Sequence, residues 1–139
     1  MTQSEEKMFA KALVAYKRAY TPYSHFNVGA VLLMKDGQMV TGSNIENASY
    51  GLSNCAERSA LFAAYSAGYR KDDILKMMII GNTSGPISPC GACRQVISEL
   101  VNADVDVILT NLEGKTKTMK VEELLPYGFS EGDLQDGRV

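Results

Sequence analysis

The sequence predicts an α/β fold in which a mixed sheet of five strands lies between two layers of helices. Two observations indicate this. Apolar residues recur at helical spacing near the N-terminus and in two later segments. Short apolar runs of strand length alternate with those helical segments. A three-layer α/β/α arrangement buries the apolar faces of both kinds of element.

The elements are expected in the order helix, two hairpin strands, helix, strand, helix and two strands. The first helix is predicted over 4–19 with Ser4 as its cap. Asp36-Gly37 is typical of a hairpin turn, and Gly68 is placed to end the second long helix. The tail from residue 131 is expected to be loose and polar. The remaining predicted ranges are strands 28–34, 38–45, 77–81, 105–109 and 116–121, and helices 56–67, 91–101 and 121–126.

Length and charge restrict the possible classes of protein. The 139 residues suit one domain, expected over 1–139. The formal net charge is −2 and no basic stripe is present, which favours a small-molecule partner over a nucleic acid. No apolar run reaches the roughly 18 residues of a membrane helix, and glutamates stand where a signal peptide would be positively charged. A cytoplasmic protein with no membrane partner is therefore expected.

Three cysteines and one glutamate carry the candidate chemistry. Cys55 precedes one predicted helix, and Cys90 and Cys93 lie at the start of another, where positions i and i+3 share a face. Helix N-termini favour thiolates, the form that binds metals, so three sulfurs could surround one ion. Three protein ligands leave one tetrahedral position open, as in a catalytic zinc site. Glu57 is close enough in sequence to reach that position and move protons.

A Cys-x-x-Cys pair alone is also typical of a redox pair or of a structural zinc site. The nearby Cys55 and Glu57 favour the catalytic alternative over these two. Three thiolates exceed the charge of Zn²⁺, which weakens the ion as a Lewis acid. Arg58, three residues after Cys55, is a candidate to compensate that charge. Arg94 is expected to be structural or exposed and is given no role.

Five segments together resemble one family. Cys-Ala-Glu followed by Pro-Cys-x-x-Cys is similar to the zinc deaminase signature. The wider likeness is to the small, homotetrameric, three-cysteine zinc-dependent cytidine deaminases, and it spans most of the chain. The segments are PYSHFNVGA at 22–30, NIENASY at 44–50, CAERSA at 55–60, SPCGACRQV at 88–96 and VEELLP at 121–126.

The resemblance implies a cytidine deaminase-like fold and a role for each matching residue. One Zn²⁺ per subunit would be bound by three ligands: Cys55, Cys90 and Cys93. Glu57 would be the catalytic proton shuttle, and Arg58 would lie against the thiolates. The nucleoside would contact Phe26, Asn44, Glu46 and the backbone of Ala56, and also Tyr50 and Phe129 from a neighbouring subunit.

The implied reaction is the hydrolytic deamination of cytidine and deoxycytidine to uridine and deoxyuridine. Zinc-activated water would displace ammonia, in pyrimidine salvage, and a homotetramer would share its active sites. The carboxylate of Glu46 should repel a phosphate, which favours a nucleoside over a nucleotide. Two alternative substrates are an aminoglycosyl-nucleoside antibiotic such as blasticidin and a nucleic acid. The NIENASY segment argues against the first and the net charge against the second.

Overall fold

Helices and strands alternate along the chain in the predicted order. The computed structural model describes residues 1–137. Short 3₁₀ turns at Tyr50–Leu52 and Lys71–Asp73 precede the second helix and the third strand. The helices are α1 (Gln3–Lys17), α2 (Ala56–Ser66), α3 (Gly91–Leu100), α4 (Val121–Leu124) and α5 (Glu131–Asp136), and the strands are β1 (Val28–Met34), β2 (Met39–Ser43), β3 (Ile74–Gly81), β4 (Asp106–Asn111) and β5 (Thr116–Lys120).

The five strands form one mixed sheet in the order β2-β1-β3-β4-β5. Only β3 and β4 are parallel neighbours, and α3 is the helix that connects them. The other three pairs are antiparallel. Helix α1 packs on one face of the sheet, and α2 and α3 pack on the other. The three-layer α/β/α fold with a mixed five-stranded sheet is thus confirmed.

Alternation along the three central strands β1, β3 and β4 builds an apolar layer on both faces of the sheet, since successive side chains point to opposite sides. In β1, Val31 packs with Met78 in the layer under α1. Its neighbours Ala30 and Leu32 pack with Met77 in the layer under α2 and α3. Burial on both faces explains why β1 and residues 77–81 of β3 are continuous apolar runs in the sequence.

Several boundaries differ from the sequence-based expectations, among them the start of β3, which lies at Ile74 rather than at residue 77. The N-cap of α1 is Thr2 rather than Ser4, because Glu5 completes a capping box with Thr2. Strand β2 ends at Ser43, and the tail forms the short helix α5, capped by Ser130. Gly68 has a φ of +99° just after α2, as its predicted position at the end of that helix requires.

Gly42 brings the backbone of α2 into direct contact with the edge strand β2. A Cβ atom at this position would lie 2.4 Å from the Ala60 nitrogen and 2.5 Å from the Ala56 carbonyl oxygen. Both atoms belong to the backbone, so the helix itself would have to move. Because α2 begins directly after Cys55, this contact also determines where Cys55 lies.

We therefore expect Gly42→Ala to lower the free energy of unfolding by about 1–3 kcal/mol, the usual cost of overpacking. Urea unfolding measures this change. Gly51→Ala is the control, since a Cβ atom there meets open space, and it should stay within about 0.5 kcal/mol of the wild type. A Gly42→Ala protein as stable as the wild type would contradict the close approach of α2.

Candidate active site

Two helices begin at the same place on one side of the sheet and bring three cysteines together. Cys55 is the N-cap residue of α2 and Cys90 the N-cap residue of α3, and Cys93 lies in the first turn of α3. The three sulfur atoms all lie within 4.8 Å of one another, and Sγ of Cys55 is 4.0 Å from Sγ of Cys90. In tetrahedral zinc sites with Zn–S bonds of about 2.3 Å, the sulfurs are about 3.8 Å apart. The cluster therefore fits Zn²⁺.

The sulfurs differ in their surroundings. Cys93 is buried, Cys55 is half-buried and Cys90 is exposed, so the cluster is open on the side of Cys90. A hydrogen bond from the Cys93 thiol and the guanidinium of Arg58 lower the pKa of Cys55 to about 5. The same hydrogen bond to Cys55, together with burial, raises the pKa of Cys93. The protein alone therefore stabilises a thiolate at Cys55.

Arg58 lies where the charge argument expects it. Its Nη2 donates a hydrogen bond to Sγ of Cys55 at 3.2 Å. This contact raises the pKa of the guanidinium, which stays charged. Its Nε is buried without a partner among residues 1–137, which leaves a further N–H donor on the guanidinium that contacts Cys55.

The open side of the cluster faces a pocket of about 170 Å³. Glu57 lines this pocket although its side chain is only 4% exposed. Burial raises the pKa of the Glu57 carboxyl, and the negative charge of Cys55 acts in the same direction. The lining residues are Phe26, Val28, Asn44, Cys55, Ala56, Glu57, Ile87, Ser88 and Cys90.

Asn44 joins the end of β2 to the loop that carries Phe26. Its Oδ1 accepts a hydrogen bond from the Val28 nitrogen at 2.8 Å, and its Nδ2 donates to the Phe26 carbonyl oxygen at 2.7 Å. The side chain takes over contacts that a longer β2 would make through its backbone, which explains why that strand ends early. Asn44 thus holds Phe26 at the pocket and lines the pocket itself.

Glu46 holds the same loop from its other side. Its Oε1 accepts from the backbone nitrogens of Tyr23 and Ser24, at 3.0 and 3.1 Å, and its Oε2 accepts from the Ser24 hydroxyl. The hydrogen bond from Ser24 lowers the pKa of Glu46. His25, the next residue, adopts a φ of +57°, a conformation that such fixed neighbours can stabilise.

Most of the residues named from the sequence meet at this pocket. Phe26, Asn44, Ala56 and Glu57 line it with two of the cysteines. Glu46 is not among the lining residues, and its carboxylate is bound to the loop. Its contact with a sugar, like every other role named above, stays a prediction.

Tyr50 and Phe129 lie outside the pocket of their own chain. Their side chains are 62% and 61% exposed. Phe129 lines a separate depression with Leu125 and Gly128. Their expected contact with a substrate therefore stays a prediction.

The sequence analysis missed four residues at the site. Val28, Ile87 and Ser88 line the pocket, and Arg94 contacts the loop beside it. The adjacency of Ile87 and Ser88 to Pro89-Cys90 could have indicated their position. The role of Arg94 depends on a fork of contacts that no local pattern reveals.

A zinc-dependent hydrolase needs a metal site with an open position and a group that can move protons. This pocket has three sulfurs that fit zinc, an open side and a buried carboxyl. Comparison with known proteins identifies the family. Residues 2–109 match the family model described as the cytidine and deoxycytidylate deaminase zinc-binding region. The chain belongs to this family.

Its relatives are similar in sequence to this chain along almost their full length. A cytidine deaminase of Halalkalibacterium halodurans is 52% identical over 94% of this chain and 98% of its own. One of Sporosarcina psychrophila is 50% identical over 93% of both chains. The crystal structure of a cytidine deaminase from Burkholderia pseudomallei is 48% identical, with a TM-score of 0.87 over 93% of this chain and 100% of that chain. Among residues 1–137, no helix has the length and apolar character needed to cross a membrane.

Replacing one sulfur should remove tight metal binding. Mutation of a residue that hydrogen-bonds a metal ligand weakens metal binding by roughly 10–100-fold. We expect Cys90→Ser to weaken zinc binding by more than this, because a ligand itself is lost. Competition with a chromogenic chelator measures the affinity, and elemental analysis counts the metal. The chain has no cysteine outside the cluster, so the wild-type protein is the reference, and one zinc per chain is expected for it. Full zinc retention in Cys90→Ser would contradict the assignment of this ligand.

Proposed function

We propose that this protein catalyses the hydrolytic deamination of cytidine and deoxycytidine to uridine and deoxyuridine. One observation carries the proposal. Three clustered sulfurs and the buried carboxyl of Glu57 meet at one pocket, in a chain about half identical to proteins named cytidine deaminase. The reaction would return cytosine nucleosides to uracil nucleosides, a step of pyrimidine salvage.

Zn²⁺ is the metal that the three sulfurs favour, because thiolates are soft ligands and their spacing suits a tetrahedral ion. When bound, zinc would supply an activated water for attack on the amino-bearing carbon of the base. Cys55, Cys90 and Cys93 would hold it, and Arg58 would offset part of the charge of the sulfurs through its hydrogen bond to Cys55. The two helix N-termini act in the same direction.

Glu57 is the residue that we assign to proton transfer. Its carboxyl lines the pocket beside Cys55 and Cys90 and is almost wholly shielded from bulk water. A carboxyl in this position can deliver a proton to the ring nitrogen N3 and later carry one to the departing amino group. Shielding keeps these protons between the carboxyl and the ligand rather than losing them to solvent.

The pocket suits a pyrimidine base. Its volume of about 170 Å³ is below the roughly 300–1,000 Å³ of sites that enclose drug-sized ligands, so it accommodates one small ring. Phe26 offers an aromatic side chain for stacking, and Ala56 offers its backbone. The sugar would extend towards the loop held by Asn44 and Glu46, where a carboxylate disfavours a phosphate.

A homotetramer with shared sites would explain the exposed aromatic residues. Tyr50 and Phe129 lie away from the pocket of their own chain, where each is available to a neighbouring subunit. Large exposed aromatic side chains are enriched at interfaces, where they supply much of the binding energy. We therefore propose that neighbouring copies of the chain complete one another's pockets.

Replacing Glu57 tests the reaction. We expect Glu57→Gln to keep its zinc and lose at least about a hundredfold in kcat, the usual scale for a general acid–base group. An ultraviolet assay with cytidine, deoxycytidine and deoxycytidylate measures turnover, together with a metal count. Glu113→Gln, which changes an exposed carboxyl in the β4–β5 turn, is the control and should match the wild type. Wild-type turnover by Glu57→Gln would contradict the assigned role, and no turnover of either nucleoside by the wild type would contradict the proposed reaction.

Subunit mixing tests the shared sites. Phe129→Ala should lose at least about tenfold in kcat/KM, as expected for an aromatic residue at the centre of an interface. If Glu57 and Phe129 act from different subunits, an equal mixture of Phe129→Ala and Glu57→Gln chains, refolded together, should recover about a quarter of the wild-type activity. Glu57→Gln mixed with wild-type chains calibrates the exchange. An active monomer in sedimentation, or no recovery in the mixture, would contradict shared sites.

A further inference from the structure

Arg94, one residue after Cys93 in α3, binds two separate parts of the chain through three hydrogen bonds. Its Nε donates to the Pro89 carbonyl oxygen at 2.9 Å and its Nη2 donates to the Ser88 hydroxyl at 2.7 Å. Its Nη1 donates to the Leu124 carbonyl oxygen at 2.8 Å, at the end of α4. Among residues 1–137, no carboxylate forms an ion pair with it. The guanidinium serves entirely to hold neutral acceptors of the loop and of α4.

The loop between β3 and α3 has two separate anchors. Its first part is held by β4, because Asn111 donates to the Thr83 carbonyl oxygen at 2.9 Å and the Ile87 nitrogen donates to the Thr110 carbonyl oxygen at 3.3 Å. Its second part consists of Ser88 and Pro89, just before Cys90. Within residues 1–137, the hydrogen bonds that reach these two residues come from Arg94 alone.

This second part of the loop carries two components of the site. Ser88 lines the pocket, and Cys90 supplies one of the three sulfurs. The other sulfurs have supports of their own, since Cys55 accepts a hydrogen bond from Arg58 and Cys93 is buried within the first turn of α3. Cys90 is exposed and makes no side-chain cap bond. Its carbonyl oxygen accepts from the Arg94 nitrogen at 3.0 Å, so its position depends on the first turn of α3 and on the backbone that immediately precedes it.

The same fork ties the loop to the C-terminal segment. While Arg94 holds Leu124, its neighbour Gln95 donates from Nε2 to the Phe129 carbonyl oxygen at 3.0 Å. One turn of α3 thus contacts the cysteine cluster, the pocket wall and the segment that carries Phe129.

We propose that Arg94 is a positioning residue that sets the location of the Cys90 sulfur and of Ser88 by clamping Ser88-Pro89 between α3 and the end of α4. Its effect on deamination rests on the proposed function, whereas its effect on the cysteine cluster does not. Arginine suits this task because its planar fork presents several N–H groups in fixed directions. A lysine at the same position would keep the charge and lose the fork.

The experiment measures zinc affinity and activity of Arg94→Ala and Arg94→Lys in the full-length protein. We expect both variants to bind zinc about 10–100-fold more weakly in chelator competition, the usual effect of removing a residue that orients a ligand. With Co²⁺ in place of zinc, the sulfur-to-metal absorption bands should shift or weaken, because the Cys90 sulfur is displaced. At saturating zinc, kcat should fall. The free energy of unfolding of the metal-free protein should change by less than the free energy of zinc binding.

Arg70→Ala is the matched control. Arg70 also donates to two backbone carbonyl oxygens, those of Tyr65 and Tyr69, but at the far end of α2. It should keep the zinc affinity, the Co²⁺ spectrum and the kcat of the wild type.

Several outcomes would overturn the proposal. One is that Arg94→Ala keeps the zinc affinity and Co²⁺ bands of the wild type and only unfolds at a lower temperature. Another is that Arg94→Lys has the zinc affinity, Co²⁺ bands and kcat of the wild type, which would show that charge alone matters. If Arg94→Ala does not fold, Arg94→Lys supplies the same measurements. If the wild type binds zinc and deaminates no nucleoside, the proposed function fails, and the affinity and spectrum still decide the role of Arg94.

Discussion

The site depends on one constraint, which is that α2 and α3 begin at the same point on the same face of the sheet. Helix α2 lies directly on β2, where Gly42 permits backbone contact, and α3 is the connection between the parallel strands β3 and β4. Both helices share one apolar layer through residues such as Leu61 and Ile97. Because the cysteines lie at the helix starts, packing of the helices places the sulfurs, and the partial positive charge of both N-termini falls where thiolates collect.

Polar side chains hold the loops at the pocket, which is also lined by the core residues Val28, Ala56 and Ile87. Asn44 and Glu46 hold the loop that carries Phe26, and Asn111 and Arg94 hold the loop that leads to Cys90. Glu46 and Asn111 are buried and Asn44 and Arg94 are half-buried. A polar group removed from water is costly unless it is hydrogen-bonded, and each of the four has acceptors or donors on backbone. The division is physical: apolar contact is non-directional and stabilises layers, whereas hydrogen bonds fix a loop in one conformation.

The sequence predicts the layers well because periodicity is a local property. The strand over 28–34 and the starts of α2 and α3 were predicted correctly, and the cysteine spacing indicated a cluster that the fold then assembled. The contact of Glu46 with Ser24 and that of Arg94 with Leu124 were not predictable. They join residues that are 22 and 30 positions apart, and no pattern along the chain specifies them. Tyr50 and Phe129 stay predictions for a related reason, since their expected partners belong to another copy of the chain.

The two helices each bring an arginine, and the two arginines act differently. Arg58 follows Cys55 by one turn and donates directly to its sulfur, so it acts on the charge of the cluster. Arg94 follows Cys90 by one turn and donates to the loop rather than to a sulfur, so it acts on the geometry. Cys55 is half-buried and needs charge compensation, whereas exposed Cys90 is solvated and needs a fixed backbone. Arg58 thus supports the sulfur of Cys55 directly and Arg94 supports the backbone before Cys90, and the side of Cys90 and Ser88 is open to a ligand.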